Sequence, residues 1–136
     1  MKKINLALAV IFILLISCTK DENLSPDAPF SGKWGGQGIT VLASDTQVDF
    51  EFDCATGIIN KKVTMSNKVF SEKGTYTQFA GNLPINANPP EPKIVLYEGT
   101  LSGNTVSLVI KSEDGKTVIS KYTLSKNASG ILVRCM

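Results

Sequence analysis

Apolar and polar residues alternate along much of this chain, and this period of two constrains the fold more than any other feature. Every second residue from Val48 to Cys54 is apolar, and the residues between them are polar or acidic. The same alternation returns from Val106 to Ile110. Successive side chains of a β-strand point to opposite faces, so the pattern predicts strands with one buried face. We therefore expect an all-β domain.

Turn-forming residues divide the chain into short segments. The dipeptides Gly103-Asn104 and Asp114-Gly115 are typical of hairpin tips. We interpret Cys54–Ile59 as one short helical turn, and no long amphipathic helix is predicted after the N-terminal region. The predicted strands are Gly32–Leu42, Gln47–Phe52, Lys61–Ser66, Phe70–Ala80, Ile94–Ser102, Thr105–Lys111, Thr117–Ser125 and Gly130–Cys135.

About eight short antiparallel strands must protect their edges from pairing with other chains. A closed up-and-down barrel does this completely, and a two-sheet β-sandwich does it in part. Because nearly every connection resembles a hairpin between sequential neighbours, we predict the barrel and keep the sandwich as the alternative. Trp34 would plug one end of the barrel; the other interpretation is an exposed tryptophan used for binding.

The segment Gly81–Lys93 interrupts the alternation with four prolines. Proline cannot donate a hydrogen bond to a neighbouring strand, so this segment is a long and stiff connection. It is either a spacer that closes one end of the barrel or a lip that contacts a ligand, since stiff loops lose little entropy on binding. In the second case, the ligand-contact residues would be Asn82, Pro84, Asn86, Asn88 and Pro90.

The N-terminal residues have the features of a secretory signal. Lys2 and Lys3 precede the apolar run Leu6–Ile16, which is shorter than the roughly 20 apolar residues of a transmembrane helix. Leu15-Ile16-Ser17-Cys18 then resembles the lipobox of bacterial lipoproteins. The resemblance implies acylation of the Cys18 sulfur, for example with palmitate, and cleavage just before Cys18. The alternative is an ordinary signal peptide in which Cys18 is incidental.

The chain is therefore predicted to have three parts, namely a cleaved signal helix over 1–17, a flexible acidic tether over 18–29 and a β-barrel domain over 30–136. Removal of the signal leaves 119 of the 136 residues, enough for one domain with a single core. Lys20-Asp21-Glu22 resembles a charged signal that sends some bacterial lipoproteins to the outer face of the outer membrane. A solvated linker is the other interpretation.

The two remaining cysteines, Cys54 and Cys135, suggest a disulfide, because an exported chain meets an oxidising compartment. Both lie at apolar positions of the alternating pattern, so we expect them to meet inside the core. Two buried free thiols are the alternative. Zinc is excluded as a structural metal, since two cysteines without any histidine cannot complete its ligand set.

Charge and residue types exclude several functions. Loss of Lys2 and Lys3 would leave 12 basic and 12 acidic residues, so there is no basic excess for nucleic acid. The chain has no histidine, which removes the commonest general base and metal ligand. The carboxylates of Asp49, Glu51 and Asp53 share one strand face, but we expect that face to point away from the core. We therefore predict no catalytic residues, no metal and no cofactor.

Several motifs occur in a fixed order along the mature chain. They are Trp34-Gly35-Gly36, the run Phe52–Ile59, Gly74-Thr75-Tyr76, Tyr97-Glu98-Gly99, Gly103–Leu108 and Arg134-Cys135-Met136. Together they resemble a family of small uncharacterised bacterial exported domains with a W-G-G…F-D-C-A-x-G-x-I…G-x-Y…[KR]-C pattern. The resemblance supports the β fold and the disulfide and implies no activity. Many members have a histidine where this chain has Gly38, so any role of that histidine is absent here.

The sequence thus predicts an envelope lipoprotein, anchored by lipid to the outer membrane, whose monomeric barrel is a non-catalytic binding or interaction module for an unknown envelope or extracellular ligand. One alternative is an inhibitor of lysozyme, because small barrel lipoproteins of that kind are similar in size, tether and disulfide use, although their inhibitory loop motif is not visible here. The other is a hydrolase of the envelope that uses the carboxylates of the acidic strand.

Overall fold

A computed structural model describes residues 27–79, 88–133 and Cys135 of this protein. These residues form ten β-strands and no helix. The strands are β1 (Asp27–Pro29), β2 (Gly32–Gly36), β3 (Ile39–Ala43), β4 (Val48–Phe52), β5 (Ala55–Ile59), β6 (Thr64–Ser66), β7 (Val69–Gln78), β8 (Lys93–Ser102), β9 (Thr105–Ser112) and β10 (Val118–Lys126).

Eight of these strands close into an antiparallel barrel. The ring runs β2-β3-β4-β5-β7-β8-β9-β10 and returns to β2, and the pairing of β7 with β8 joins its two halves. Strands β1 and β6 pair with each other outside the ring. The predicted up-and-down barrel is therefore confirmed, and the sandwich alternative is not the fold.

The strand boundaries differ from the prediction in several places. The predicted strand Gly32–Leu42 is two strands, because a turn at Gly38, with a φ of 75°, reverses the chain between β2 and β3. The predicted helical turn Cys54–Ile59 is wrong, since Ala55–Ile59 forms β5. The segment 61–66, predicted as a barrel strand, contributes only the short β6 outside the ring. The domain also begins before the predicted boundary at residue 30, because Asp27–Pro29 forms β1.

The barrel interior is filled by side chains, as expected for an eight-stranded ring. The alternating residues of β4 and β9 point inward, as their period of two predicted. At the centre, Tyr97 is fully buried and stacks on Phe50, with the ring centroids 4.3 Å apart. Gly57 and Gly74 face this tyrosine, and a Cβ at either position would overlap its ring or hydroxyl. The glycines of two strands thus make room for one large side chain.

The last part of the chain lies on the outside of the barrel, and we call residues 127–133 with Cys135 the C-terminal strap. It crosses the outer face of β2, where Ile131 forms an isolated parallel bridge with Gln37. A Cβ at Gly35 would lie 2.5 Å from the backbone nitrogen of Gly130, so only glycine allows this approach. The predicted strand Gly130–Cys135 is therefore wrong, because the ring is already complete and the strap covers it.

Candidate functional site

The two ends of the barrel differ in how they are filled. At the end where the chain enters the ring, the rings of Phe30 and Trp34 lie 5.4 Å apart and those of Phe30 and Phe70 lie 5.1 Å apart. Trp34 is only 4% exposed, and its indole nitrogen donates a 3.0 Å hydrogen bond to the Ser31 carbonyl oxygen. This aromatic cluster closes that end. Trp34 is buried as predicted, and the alternative of an exposed tryptophan used for binding is wrong.

The opposite end, which we call the mouth, keeps a cavity of about 590 Å³ open to solvent. The turns β2–β3, β4–β5 and β9–β10 lie at this end, together with the end of β7 and the start of β8. Cavities of roughly 300–1,000 Å³ are typical of small-molecule sites. The described residues that line the cavity are Tyr76, Gln78, Phe79, Pro90, Glu91, Lys93, Val95 and Ile119.

One wall of the mouth is aromatic and aliphatic. The ring of Phe52 packs against Tyr76 at 5.4 Å and against Tyr122 at 5.3 Å, so Tyr76 is held in place from below. Phe79 and Ile119 are 41% and 44% exposed, so both offer apolar surface at the cavity. The pairing of β9 with β10 shifts register between Val118 and Ser120, and Ile119 is the residue at this irregularity. Bulges of this kind redirect a side chain.

The polar side chains of the mouth include one cation, one carboxylate and one neutral amide, so both hydrogen-bond donors and acceptors are present. Lys93 is the register partner of Tyr76, and Glu91 and Gln78 lie on the same cavity. Among the residues that the structure describes, neither charged side chain forms an ion pair, and the Tyr76 hydroxyl and Gln78 amide have no hydrogen-bond partner. Burial raises the pKa of Tyr76, and Tyr122 adds to the rise. Within the described residues, these side chains therefore keep hydrogen-bonding capacity that a ligand could use.

The predicted ligand-contact loop is described only at its end. Asn82, Pro84 and Asn86 lie outside the described residues, so their role stays a prediction. Asn88 is exposed, and Pro90 lines the cavity of the mouth.

The disulfide between Cys54 and Cys135 is present, with their Cα atoms 5.5 Å apart. It does not lie in the core, however, because Cys54 is in the β4–β5 turn at the mouth and both cysteines are partly exposed. The predicted core position is therefore wrong. The bond attaches the end of the C-terminal strap to the barrel. Beside it, the Val133 amide donates a 2.7 Å hydrogen bond to the Asp53 carboxylate.

The acidic side chains of β4 point to the outside of the barrel, as their parity predicted. Asp49 and Glu51 alternate with the inward residues of β4 and border a shallow outer depression of about 390 Å³, together with Leu42 and Ile58. The Gln47 amide donates to both oxygens of Asp49 at 2.8 Å. Asp53 holds the strap instead of joining this pair. Within 27–79, 88–133 and Cys135, no group of three acidic or cysteine side chains could hold a metal.

Most residues of the mouth were not predicted from the sequence. Phe79 and Lys93 flank the proline-rich segment, so its two ends could have marked them once the barrel was assumed. The position of Ile119 depends on the irregular pairing of β10, for which the alternation gives no signal.

Comparisons with protein-family models, with curated proteins and with solved structures found no match to this chain. The resemblance to exported bacterial domains stays a prediction. In the part of the chain that the structure describes, no helix has the length and apolar character needed to span a membrane.

Proposed function

We propose that this chain is a lipid-anchored envelope lipoprotein whose barrel is a non-catalytic binding module, and that the mouth is its binding site. The anchor rests on the sequence, where Leu15-Ile16-Ser17-Cys18 has the order and position of a lipobox. The proposed location is the outer membrane. The signal and Cys18 lie outside the described residues.

The observation that carries the binding proposal is the contrast between the two barrel ends. The core and the end that contains Trp34 are filled by side chains, whereas the mouth keeps a cavity of about 590 Å³ with exposed Phe79 and Ile119 at its wall. Exposed apolar side chains around a cavity with a few polar groups are characteristic of ligand sites.

The direction of the chain supports this assignment. Strand β1 pairs with β6, and the chain then enters β2 past Phe30 at the filled end. The nine residues 18–26 reach at most about 30 Å when extended. A lipid at Cys18 would therefore hold the filled end nearer to the membrane, and the mouth would face away from it.

The two alternative functions have weaker support. Asp49 and Glu51 lie on the outer face of β4, at the edge of a shallow depression, which is a poor setting for the enclosed carboxylate pair of a hydrolase. No observation among the described residues favours inhibition of lysozyme.

The binding site can be tested by photo-crosslinking in intact cells. A photo-crosslinking amino acid is placed separately at Phe79, at Ile119 and at Val69, which is similarly exposed but lies at the opposite end of β7. We expect adducts at Phe79 and Ile119 and none at Val69, measured by intact-mass spectrometry of the purified chain. Equal labelling at all three positions, or labelling at Val69 alone, contradicts the proposal.

The anchor is tested separately with Cys18→Ala. This variant should incorporate no lipid label and should be released from the membrane fraction, while the Cys54–Cys135 disulfide stays intact. Lipid label that persists in the variant disproves the anchor.

A further inference from the structure

Resting on the proposed binding function, we propose that the mouth binds a saccharide and that one sugar ring packs on Phe79 and Tyr76. The first argument is the depth of the cavity. Below it, Phe52 and Ile110 are buried, and Tyr97 fills the centre of the barrel. A ligand therefore cannot pass into the interior, as an extended acyl chain would. The site accepts a compact group that lies across the mouth.

The second argument is the form of the wall. Tyr76 and Phe79 are two aromatic side chains that line the cavity, and Ile119 adds an aliphatic one. A pyranose ring has an apolar face of C–H groups that packs on aromatic side chains, while its hydroxyl groups point outward around the edge. The mouth has matching chemistry, because Gln78, Glu91 and Lys93 line the same cavity as these apolar side chains.

The third argument is the balance of the polar groups. The Lys93 ammonium group can only donate hydrogen bonds, the Glu91 carboxylate can only accept them, and the Gln78 amide does both. A ligand with one charged group would satisfy Lys93 or Glu91 and leave the other facing a like charge. Hydroxyl groups donate and accept without charge, so a saccharide satisfies all three side chains.

The experiment uses the purified full chain, labelled with ¹⁵N, and soluble probes of two classes. The saccharide probes are chito-, malto-, xylo- and manno-oligosaccharides; the charged amphiphiles are decanoate and decyltrimethylammonium below their micelle concentrations. We expect at least one saccharide to shift the amide signals of Gln78, Phe79 and Lys93 in a saturable manner. Signals at Val69 should not move.

Substitutions at the mouth test whether the saccharide binds there. Phe79→Ala should weaken saccharide binding by about tenfold, and Phe79→Tyr should preserve it, because tyrosine keeps the aromatic face. Lys93→Met should weaken binding about fivefold to tenfold by removing a donor. Val69→Ala is the matched control at the filled end and should bind like the original chain. Each variant is first compared with the original chain by its amide spectrum.

The outcomes separate the ligand class from the proposed function. If no saccharide shifts the mouth signals, or if Phe79→Ala binds as well as the original chain, the saccharide inference is overturned. Saturable binding of decanoate or decyltrimethylammonium in place of a saccharide also overturns it, yet leaves the mouth as the binding site. Absence of crosslinked adducts at Phe79 and Ile119 in cells overturns the proposed function itself.

Discussion

The Tyr97 hydroxyl donates a hydrogen bond of 2.6 Å to the Thr75 carbonyl oxygen at the centre of the barrel. Since the tyrosine ring is fully buried, Tyr97→Phe would leave that carbonyl without this donor. We expect this variant to lower the free energy of unfolding by about 1–2 kcal/mol, as measured by urea denaturation. The control is Tyr76→Phe, whose lost hydroxyl has no hydrogen-bond partner among the described residues, and which should change stability by less than about 0.5 kcal/mol. Equal effects of the two variants would contradict this account.

Stability should fall at alkaline pH because of the same tyrosine. Burial raises the pKa of Tyr97, and Tyr76 and Tyr122 add to the rise, whereas tyrosine in an unfolded chain titrates near about 10. The contribution of Tyr97 to the free energy of unfolding is therefore complete below about pH 10. It is lost as the pH rises toward the folded-state pKa of Tyr97, and over this range the free energy of unfolding falls by about 1.4 kcal/mol per pH unit. Denaturation midpoints between pH 8 and 11.5 measure this loss. In Tyr97→Phe the decline should be shallower, and parallel declines in the two proteins would exclude Tyr97 as the cause.

The disulfide should account for a large part of the stability. Cys54 and Cys135 are 81 positions apart, and in the chain-entropy model a loop of that length contributes about 4–5 kcal/mol. Cys54→Ser with Cys135→Ser should lower the free energy of unfolding by about that amount. Non-reducing and reducing denaturation of the original chain should differ equally. Cys18→Ala serves as the control, since it leaves this disulfide intact; a double variant as stable as the original chain would disprove the expectation.

The turn between β6 and β7 has a strained backbone conformation that a glycine substitution should relieve. Asn67 and Lys68 both have positive φ values, 51° and 65°, and such turns favour glycine at the second position. Lys68→Gly should therefore raise the free energy of unfolding by about 0.5–1 kcal/mol. Lys121→Gly, at an exposed lysine within β10, should instead lower it by about the same amount, because that backbone is extended. A melting temperature of Lys68→Gly below that of the original chain would refute the strain argument.

The sequence predicted the barrel because a closed antiparallel ring imposes a period of two on its strands. Where a strand carries bulky inward residues, as β4 and β9 do, the period was readable. In β5 it was not, because inward Gly57 has no side chain and outward Ile58 is apolar. The opposite error arose in the C-terminal strap, which was predicted as a strand because the apolar residues Ile131 and Val133 are two positions apart. Their side chains are 64% and 62% exposed, so this alternation does not reflect a buried face.

The glycines explain a second limit of the sequence. Gly35 is small because the strap crosses it, and Gly57 is small because it faces the Tyr97 hydroxyl. Both contacts join residues distant in sequence, so no local pattern indicates them. The mouth was missed for the same reason, since Tyr76 and Ile119 line one cavity only after the ring has closed.

The seam between β2 and β10 decides when this barrel can form. Gly35 and Ser125 pair there, and the Lys33 ammonium group donates a hydrogen bond to the Ser129 hydroxyl, 96 positions further along the chain. Contacts at such separation give the fold a high contact order, which slows folding because much of the chain must be ordered before they are made. A chain that ends before β10 would keep β2 and β9 as unpaired edges, and exposed edges promote aggregation. The ring therefore cannot close until β10 has been synthesised, and a shorter nascent chain exposes both edges.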